Sequence, residues 1–218
     1  MKKEHLEIEV KFILSDRTGF REILLGAGVK EVSPRTFEKN VRFDTPRQDL
    51  LLQGKLLRLR HDRLNRLTFK GESPRELESE ARVQEELEVT VDDFEQMVLI
   101  LERVGFQQSQ IYEKYRETFQ LGEVEIVIDE MPFGDFVELE GNEEDIRAAS
   151  GELGLDWTDR ILDNYLALMA NVKDKYKLSF NDLTFENFSG LDIPIENLWE
   201  NVGSHTLAKA EKNKVKKT

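Results

Sequence analysis

The chain has 218 residues, a formal net charge of −13, 39% hydrophobic and 34% charged residues, and no cysteine. The missing cysteine excludes a disulfide framework and any thiolate metal site, and so acidic a chain lacks the surplus of Lys and Arg that general nucleic-acid binding needs. An anionic substrate stays open, because a local basic pocket can sit within an acidic protein.

No apolar run approaches the ~20 residues that span a bilayer. The start, Met1-Lys2-Lys3-Glu4-His5, leads straight into charged residues without the apolar core of a signal peptide. A soluble, cytoplasmic protein is expected, made of one large domain or one domain plus an appendage.

Residues 4–13 alternate with the period of a strand, placing Leu6, Ile8, Val10 and Phe12 on one face and Glu7, Glu9 and Lys11 on the other. Ser15 or Asp16 caps a helix carrying Phe20, Ile23 and Leu24, which stops near Gly26 and Gly28. A second strand spans 36–45 and breaks at Thr45-Pro46. Residues 55–61 and 66–70 make a hairpin through Asp62-Arg63-Leu64-Asn65. A polar loop around Pro74 leads into an alternating strand over 80–91. Asp92 then caps a helix bearing Phe94, Met97, Val98 and Leu101, ending before Gly105. Strands over 111–121 and 123–129 turn at Gly122, and 135–141 is the last strand. Two helices follow, over 143–153 and 158–172.

Beyond Val172 the pattern weakens. Phe180, Leu183, Phe185, Phe188, Leu191, Ile193, Leu198 and Trp199 are anchors for partial packing, and the Lys-rich 209–218 is expected to be disordered. The chain thus divides into a domain over 1–172 and an extension over 173–218. About eight strands with short turns, interrupted by two helices, predict an α+β fold: an eight-stranded antiparallel barrel with helices packed outside.

The polar faces of these strands are nearly pure charge. Arg58 and Arg60 share a face, as do Thr68 and Lys70; Arg82, Glu86 and Glu88; Lys114 and Arg116; and Glu138 and Glu140. Opposite them lie Leu57 and Leu59, Leu67 and Phe69, Leu87 and Val89, and Val137 and Leu139. Two geometries fit. The charges can meet solvent around an aliphatic core, or they can line a wide lumen while the apolar faces lie under helices. The second requires a compensating ligand, because unpaired buried charge is prohibitive. Carboxylate pairs offer hard oxygen ligands for Mg²⁺ or Mn²⁺, and rows of Arg and Lys neutralise phosphate oxygens. Tyr112, Tyr115 and Tyr165 are assigned to packing, Gly134 to a tight turn, and Asp44-Thr45-Pro46 to either a turn or a functional segment. His5, His61 and His205 are scattered without metal-ligand spacing.

The run Glu7-Ile8-Glu9-Val10-Lys11 resembles the ExExK signature of the CYTH family, the triphosphate tunnel metalloenzymes. The rest of that family's pattern follows in order: Phe43-Asp44-Thr45, Leu57-Arg58-Leu59-Arg60, Thr68-Phe69-Lys70, Arg82 with Glu86 and Glu88, Lys114-Tyr115-Arg116, and Asp129 before Gly134-Asp135-Phe136-Val137-Glu138-Leu139-Glu140-Gly141. The resemblance covers residues 5–170 or so and implies a tunnel barrel with its charges inside. It implies further that Glu7, Glu9, Glu138 and Glu140 hold the activating metal, with Glu88 and Asp129 serving a second metal or orienting water. Lys11, Arg58, Arg60, Lys70, Lys114 and Arg116 would grip the triphosphate, and Arg42 and Arg82 are further candidates. Lys11, Arg58, Arg60, Glu88 and Asp129 are the catalytic candidates.

What the resemblance implies about chemistry divides three ways. A triphosphatase would hydrolyse tripolyphosphate or a nucleoside or organic triphosphate, with a metal-activated water attacking the terminal phosphorus in line. A class IV adenylyl cyclase would use the same grip on ATP to form cyclic AMP and pyrophosphate. A non-catalytic sensor would bind polyphosphate or nucleotide. Leu56 stands where the animal thiamine triphosphatases carry Trp, which weighs against thiamine recognition. The expected partner is a small polyanion rather than nucleic acid or membrane, and a dimer remains open.

Overall fold

The computed structural model describes residues 5–74, 78–191 and 193. Eight strands form the framework: β1 (Leu6–Leu14), β2 (Lys30–Asp44), β3 (Leu56–His61), β4 (Asn65–Glu72), β5 (Arg82–Val91), β6 (Gln107–Leu121), β7 (Val124–Met131) and β8 (Gly134–Glu140). Around the ring their order is β1-β5-β4-β3-β2-β6-β7-β8, and all neighbours are antiparallel. β8 pairs back onto β1, so the expected eight-stranded barrel closes and no sheet edge is left open.

The chain runs twice through one pattern of strand, helix and three-stranded meander. β1 leads through α1 (Arg17–Gly26) into β2, β3 and β4, with a short α2 (Asp49–Leu52) in the β2–β3 link. β5 leads through α3 (Phe94–Arg103) into β6, β7 and β8. The two meanders meet where β2 pairs with β6, and β1 and β5 lie side by side to complete the ring.

The outward faces carry most of the apolar core. Under α1 and α4 (Glu143–Glu152), Val10 and Phe12 of β1 pack with Phe20, Leu24, Ile126, Val137, Leu139 and Ile146. Under α3, Val41, Phe43 and Leu59 pack with Val98 and Leu101. Asp16 caps α1 by accepting from the Gly19 N–H, and Asp93, one residue later than expected, caps α3 by accepting from the Gln96 N–H. Ile23, expected on the packed face of α1, is 49% exposed.

β2 and β6 reach 15 residues each, longer than their alternation predicts. The start of β2 escapes the pattern because register shifts flanking Ser33 absorb Pro34 and break the period. The helix expected from 158 begins only at Tyr165. Trp157–Asp159 forms a single 3₁₀ turn, Ile161 then exchanges backbone hydrogen bonds with Lys11, and Asn164 caps α5 (Tyr165–Tyr176). α5 runs past Val172, where the sequence pattern fades. Leu183 forms a parallel bridge with Tyr112, and the following α6 (Phe185–Phe188) packs beside α5. Leu198, Trp199 and the Lys-rich 209–218 lie outside the described residues.

α5 and the segment after it cover one end of the barrel. Phe136, Met131 and Phe133 pack there with Tyr165, Leu168, Met169 and Val172. The apolar core therefore has two parts, a layer outside the wall and a plug at one end. If the outward faces are core, Leu139→Ala (wild-type Leu139 fully buried) should cost about 2–5 kcal/mol in denaturant unfolding. Leu87→Ala on the uncovered face of β5, where Leu87 is 41% exposed, should stay within about 1 kcal/mol. The reverse order would place the core inside the ring.

Candidate active site in the barrel lumen

All eight strands contribute to a cavity of about 910 Å³ inside the ring. Strand alternation places the charged faces there. Glu7, Glu9, Lys11, Arg42, Arg58, Arg60, Lys70, Arg82, Glu88, Lys114, Arg116, Glu138 and Glu140, all sequence-predicted site residues, line it. The choice that periodicity left open is thus resolved toward a charged lumen. The remaining predicted residue, Asp129, does not line the cavity and is fully buried.

The two signs neutralise each other across the strands. Lys70 donates to Glu7 at 2.5–2.6 Å, Lys11 lies 2.8 Å from Glu138, and Arg82 donates to Glu9 at 3.2 Å. Arg60 donates to Glu88 at 3.1 Å, and Arg58 donates to Tyr112 Oη at 3.0 Å and to Thr68 Oγ1 at 3.3 Å. Burial alone would lower the Lys11 pKa, but Glu138 and Glu9 outweigh it and hold the ammonium charged. Burial likewise opposes ionisation of Glu138, and Lys11, Arg116 and Lys114 together drive its pKa well below the carboxylate range.

Asp129 anchors this basic group. Its Oδ1 accepts from Arg116 Nε at 2.7 Å, and its Oδ2 accepts from Lys114 Nζ at 2.9 Å, Arg116 Nη2 at 2.5 Å and Tyr165 Oη at 2.9 Å. Both carboxylate oxygens accept from cation and phenol donors, a geometry that holds Arg116 and Lys114 in place. Arg116 also reaches Glu138 at 2.5 Å. Asp44 does comparable work for Arg42: it accepts from Arg42 Nη2 at 3.0 Å and caps α2 through the Leu50 and Leu51 N–H groups. Asp44-Thr45-Pro46 is thus a turn whose carboxylate also orients a lumen arginine.

The tyrosines pack as assigned, Tyr112 and Tyr165 in the end core, but these two also carry polar contacts. Tyr112 accepts from Arg58, and Tyr165 faces Lys11, whose Nζ lies 4.8 Å from the ring centroid. Only Tyr115 stays outside, stacked on Phe37 and Phe185. Sequence reasoning also missed Glu38, Asn40 and Glu125. Glu38, Asn40, Arg42 and Asp44 alternate along β2 on one buried face, so that signal was present. Glu125 precedes Asp129 by four positions on the inner face of β7, with the same period. Nothing local announces Tyr165, which reaches Asp129 only through the packing of α5.

One part of the lumen is not neutralised. Glu140 stands opposite Glu9 on β1 and opposite Glu125 on β7, three carboxylates in consecutive strands. Neither Glu140 nor Glu125 has an ion-pair or hydrogen-bond partner among the described residues. Burial, then Glu7 and Glu125, push the Glu140 pKa up to about 8, with Lys70 offsetting only part of the rise. Burial is also the main cause of the raised Glu125 pKa. Elsewhere the lining turns apolar, where Leu166, Ala167, Met169 and Ala170 of α5 face the cavity with Leu51 and Leu56.

The folded protein holds the Glu140 proton more tightly than the unfolded chain does. Stability tied to that proton is therefore full below about pH 4.5 and lost as pH rises through about 8. Glu140→Gln should match the wild type in Tm near pH 4.5 and melt higher above about pH 8. A constant difference in Tm across that window would contradict the crowding of carboxylates.

A model of the CYTH domain matches residues 5–156. A protein of Methanocaldococcus jannaschii named "putative adenylate cyclase" is 29% identical over 143 residues, which is 65% of this chain and 79% of that one. Among solved structures, a "putative adenylate cyclase" from Vibrio parahaemolyticus superposes with a TM-score of 0.67 at 21% identity, covering 77% of this chain and 99% of that one. The PH1012 protein of Pyrococcus horikoshii OT3 gives a TM-score of 0.61 at 26% identity, covering 74% and 98%. A "putative adenylyl cyclase" from Hippeastrum, described as having a dominant triphosphatase activity, gives 0.52 at 18% identity, covering 76% and 94%. The matched span takes in all eight strands and every charged row of the lumen, and the chain belongs to the CYTH domain family.

Proposed function

We propose that this protein is a divalent-metal-dependent triphosphatase that binds a tripolyphosphate or an organic triphosphate in the barrel lumen and hydrolyses it there. The observation that carries the reading is the convergence of Lys11, Arg58, Arg60, Lys70, Lys114 and Arg116 on one cavity. Six cations meeting in an enclosed space suit a compact polyanion better than any neutral ligand.

The acidic side fits a hard divalent cation by the chemistry of its donors. Glu140 and Glu125 lack a cationic partner, and their raised pKa values mark uncompensated charge that such an ion would relieve. Glu7, Glu9, Glu138 and Glu140 would hold it, with Glu125 and Glu88 alongside. No three acidic or His side chains among the described residues already converge as a ligand set. Assembly therefore requires Glu7 to leave Lys70, and Glu138 to leave Lys11 and Arg116. When bound, a divalent ion supplies charge neutralisation and a Lewis acid at the phosphate oxygens.

The remaining work belongs to the chain. Lys11, Lys70 and Lys114 provide point charges to phosphate oxygens, while Arg58, Arg60 and Arg116 can each donate two hydrogen bonds. Asp129 positions Arg116 and Lys114, and Asp44 positions Arg42. Arg82 donates to Glu9 and so stands among the carboxylates. α5 shields one end from bulk water, which strengthens each of these attractions. Phosphoryl transfer draws chiefly on such positioning and neutralisation, and no side-chain nucleophile is needed.

The apolar wall of Leu166, Ala167, Met169 and Ala170 favours a second reading, in which the ligand is ATP and the product cyclic AMP. The wall would take the base in that case. Incubation with tripolyphosphate, ATP or thiamine triphosphate, plus Mg²⁺ or Mn²⁺, separates the two. Orthophosphate release is the expected result, and cyclic AMP with pyrophosphate would assign the cyclase. Neither product with any metal would overturn the enzymatic reading. Glu138→Gln with Glu140→Gln should abolish turnover, whereas intact ligand binding as the protein's sole activity would mark a sensor. Arg116→Ala should lower kcat/KM by about 10²–10³-fold, the scale lost when one preorganised charge donor is removed.

A further inference from the structure

Among the described residues, Glu38 is a buried carboxylate set beside the lumen's cations without gripping any of them. It projects inward from β2, opposite Lys114 of β6 in register, and is 4% exposed. Arg60 Nη1 lies 3.6 Å and Lys114 Nζ 3.7 Å from its carboxylate, and its Oε2 accepts no hydrogen bond among the described residues. The next residue on the same face, Asn40, is fully buried with both amide atoms unpaired. Asp129 and Glu138, by contrast, hold their cations at 2.5–2.9 Å. An ion pair built for rigidity closes to that shorter range. Glu38 is nonetheless ionised: burial opposes its charge, but Lys114, Arg116, Arg60 and Arg58 together draw its pKa down to about 2.

A charged, enclosed and loosely held carboxylate at the centre of a polyanion-binding cluster opposes the polyanion. We propose that Glu38 is an internal counter-anion that competes with phosphate oxygens for Arg60 and Lys114, thereby capping affinity and hastening release of the phosphate products. This rests on the reading of the lumen as a polyphosphate site. Glu38 acts through the two cations and does not touch the reacting atoms, so it is a positioning residue. When the lumen is empty it partly satisfies Arg60 and Lys114. When a polyphosphate enters, the two cations can meet the stronger anion without first breaking a close hydrogen bond to Glu38.

The test is calorimetric titration of wild type and Glu38→Gln with tripolyphosphate and with pyrophosphate, in Mg²⁺, alongside steady-state kinetics. Removing one negative charge within a few ångströms of the bound anion should tighten both ligands about tenfold. KM should fall with the dissociation constant, and kcat should fall as product lingers. Glu38→Asp, which keeps the charge, should bind as the wild type does. Unchanged or weaker binding by the Gln variant overturns the proposal, as does equal tightening by the Asp variant. Should the Gln variant fail to fold, Glu38→Met, of similar volume, carries the same comparison. A wild type that does not bind tripolyphosphate at all would instead sink the underlying reading of the lumen.

Discussion

Charge enclosed within a closed barrel must be cancelled at close range, because bulk water is not there to screen it. This requirement governs the rest of the molecule. Lumen cations lean on carboxylates from other strands, Lys70 on Glu7, Lys11 on Glu138 and Arg60 on Glu88. Where no cation pairs closely, at Glu125 and Glu140, burial raises the carboxylate pKa values, that of Glu140 to about 8. The lumen is therefore a set of ion pairs between facing side chains. On the proposed reading, a polyanion and a divalent cation take over the two halves of those pairs together.

The wall that makes this possible is apolar on its other side. Helices α1, α3 and α4 dock on Val10, Phe12, Leu139, Val41 and Leu59, so the hydrophobic layer lies outside the ring and leaves the inside free for charge. One end departs from that division. There α5 joins Phe136, Met131 and Phe133 in a dry plug, and Tyr165 extends from it to meet Asp129. The plug thereby does more than cover an opening, since it completes the hydrogen bonding of the carboxylate that fixes Arg116 and Lys114.

The lumen carboxylates fall into three kinds by what surrounds them. Asp129 is saturated with donors and rigid. Glu140 and Glu125 lack cations and are available. Glu38 lies between, ionised by its neighbours but bonded closely to none. Residue type alone does not distinguish these behaviours, which follow from distance and burial.

Sequence alone was enough to predict the number of strands, their antiparallel turns and the sorting of charged from apolar faces, because a strand's two-residue period writes each face directly into the chain. That is why Glu7, Arg58, Lys114 and Glu138 could be named as lumen candidates. Glu38 and Glu125 obeyed the same period and were overlooked beside more conspicuous motifs. Which face turns inward is not a local property: periodicity by itself favoured a solvated charged surface, and only the closure of β8 on β1 under an outer helical layer decided against it. The late start of α5, the reach of Tyr165 to Asp129 and the crowding of Glu140 by other carboxylates likewise arise from contacts between residues far apart in the chain. Spacing along the chain carries no record of them.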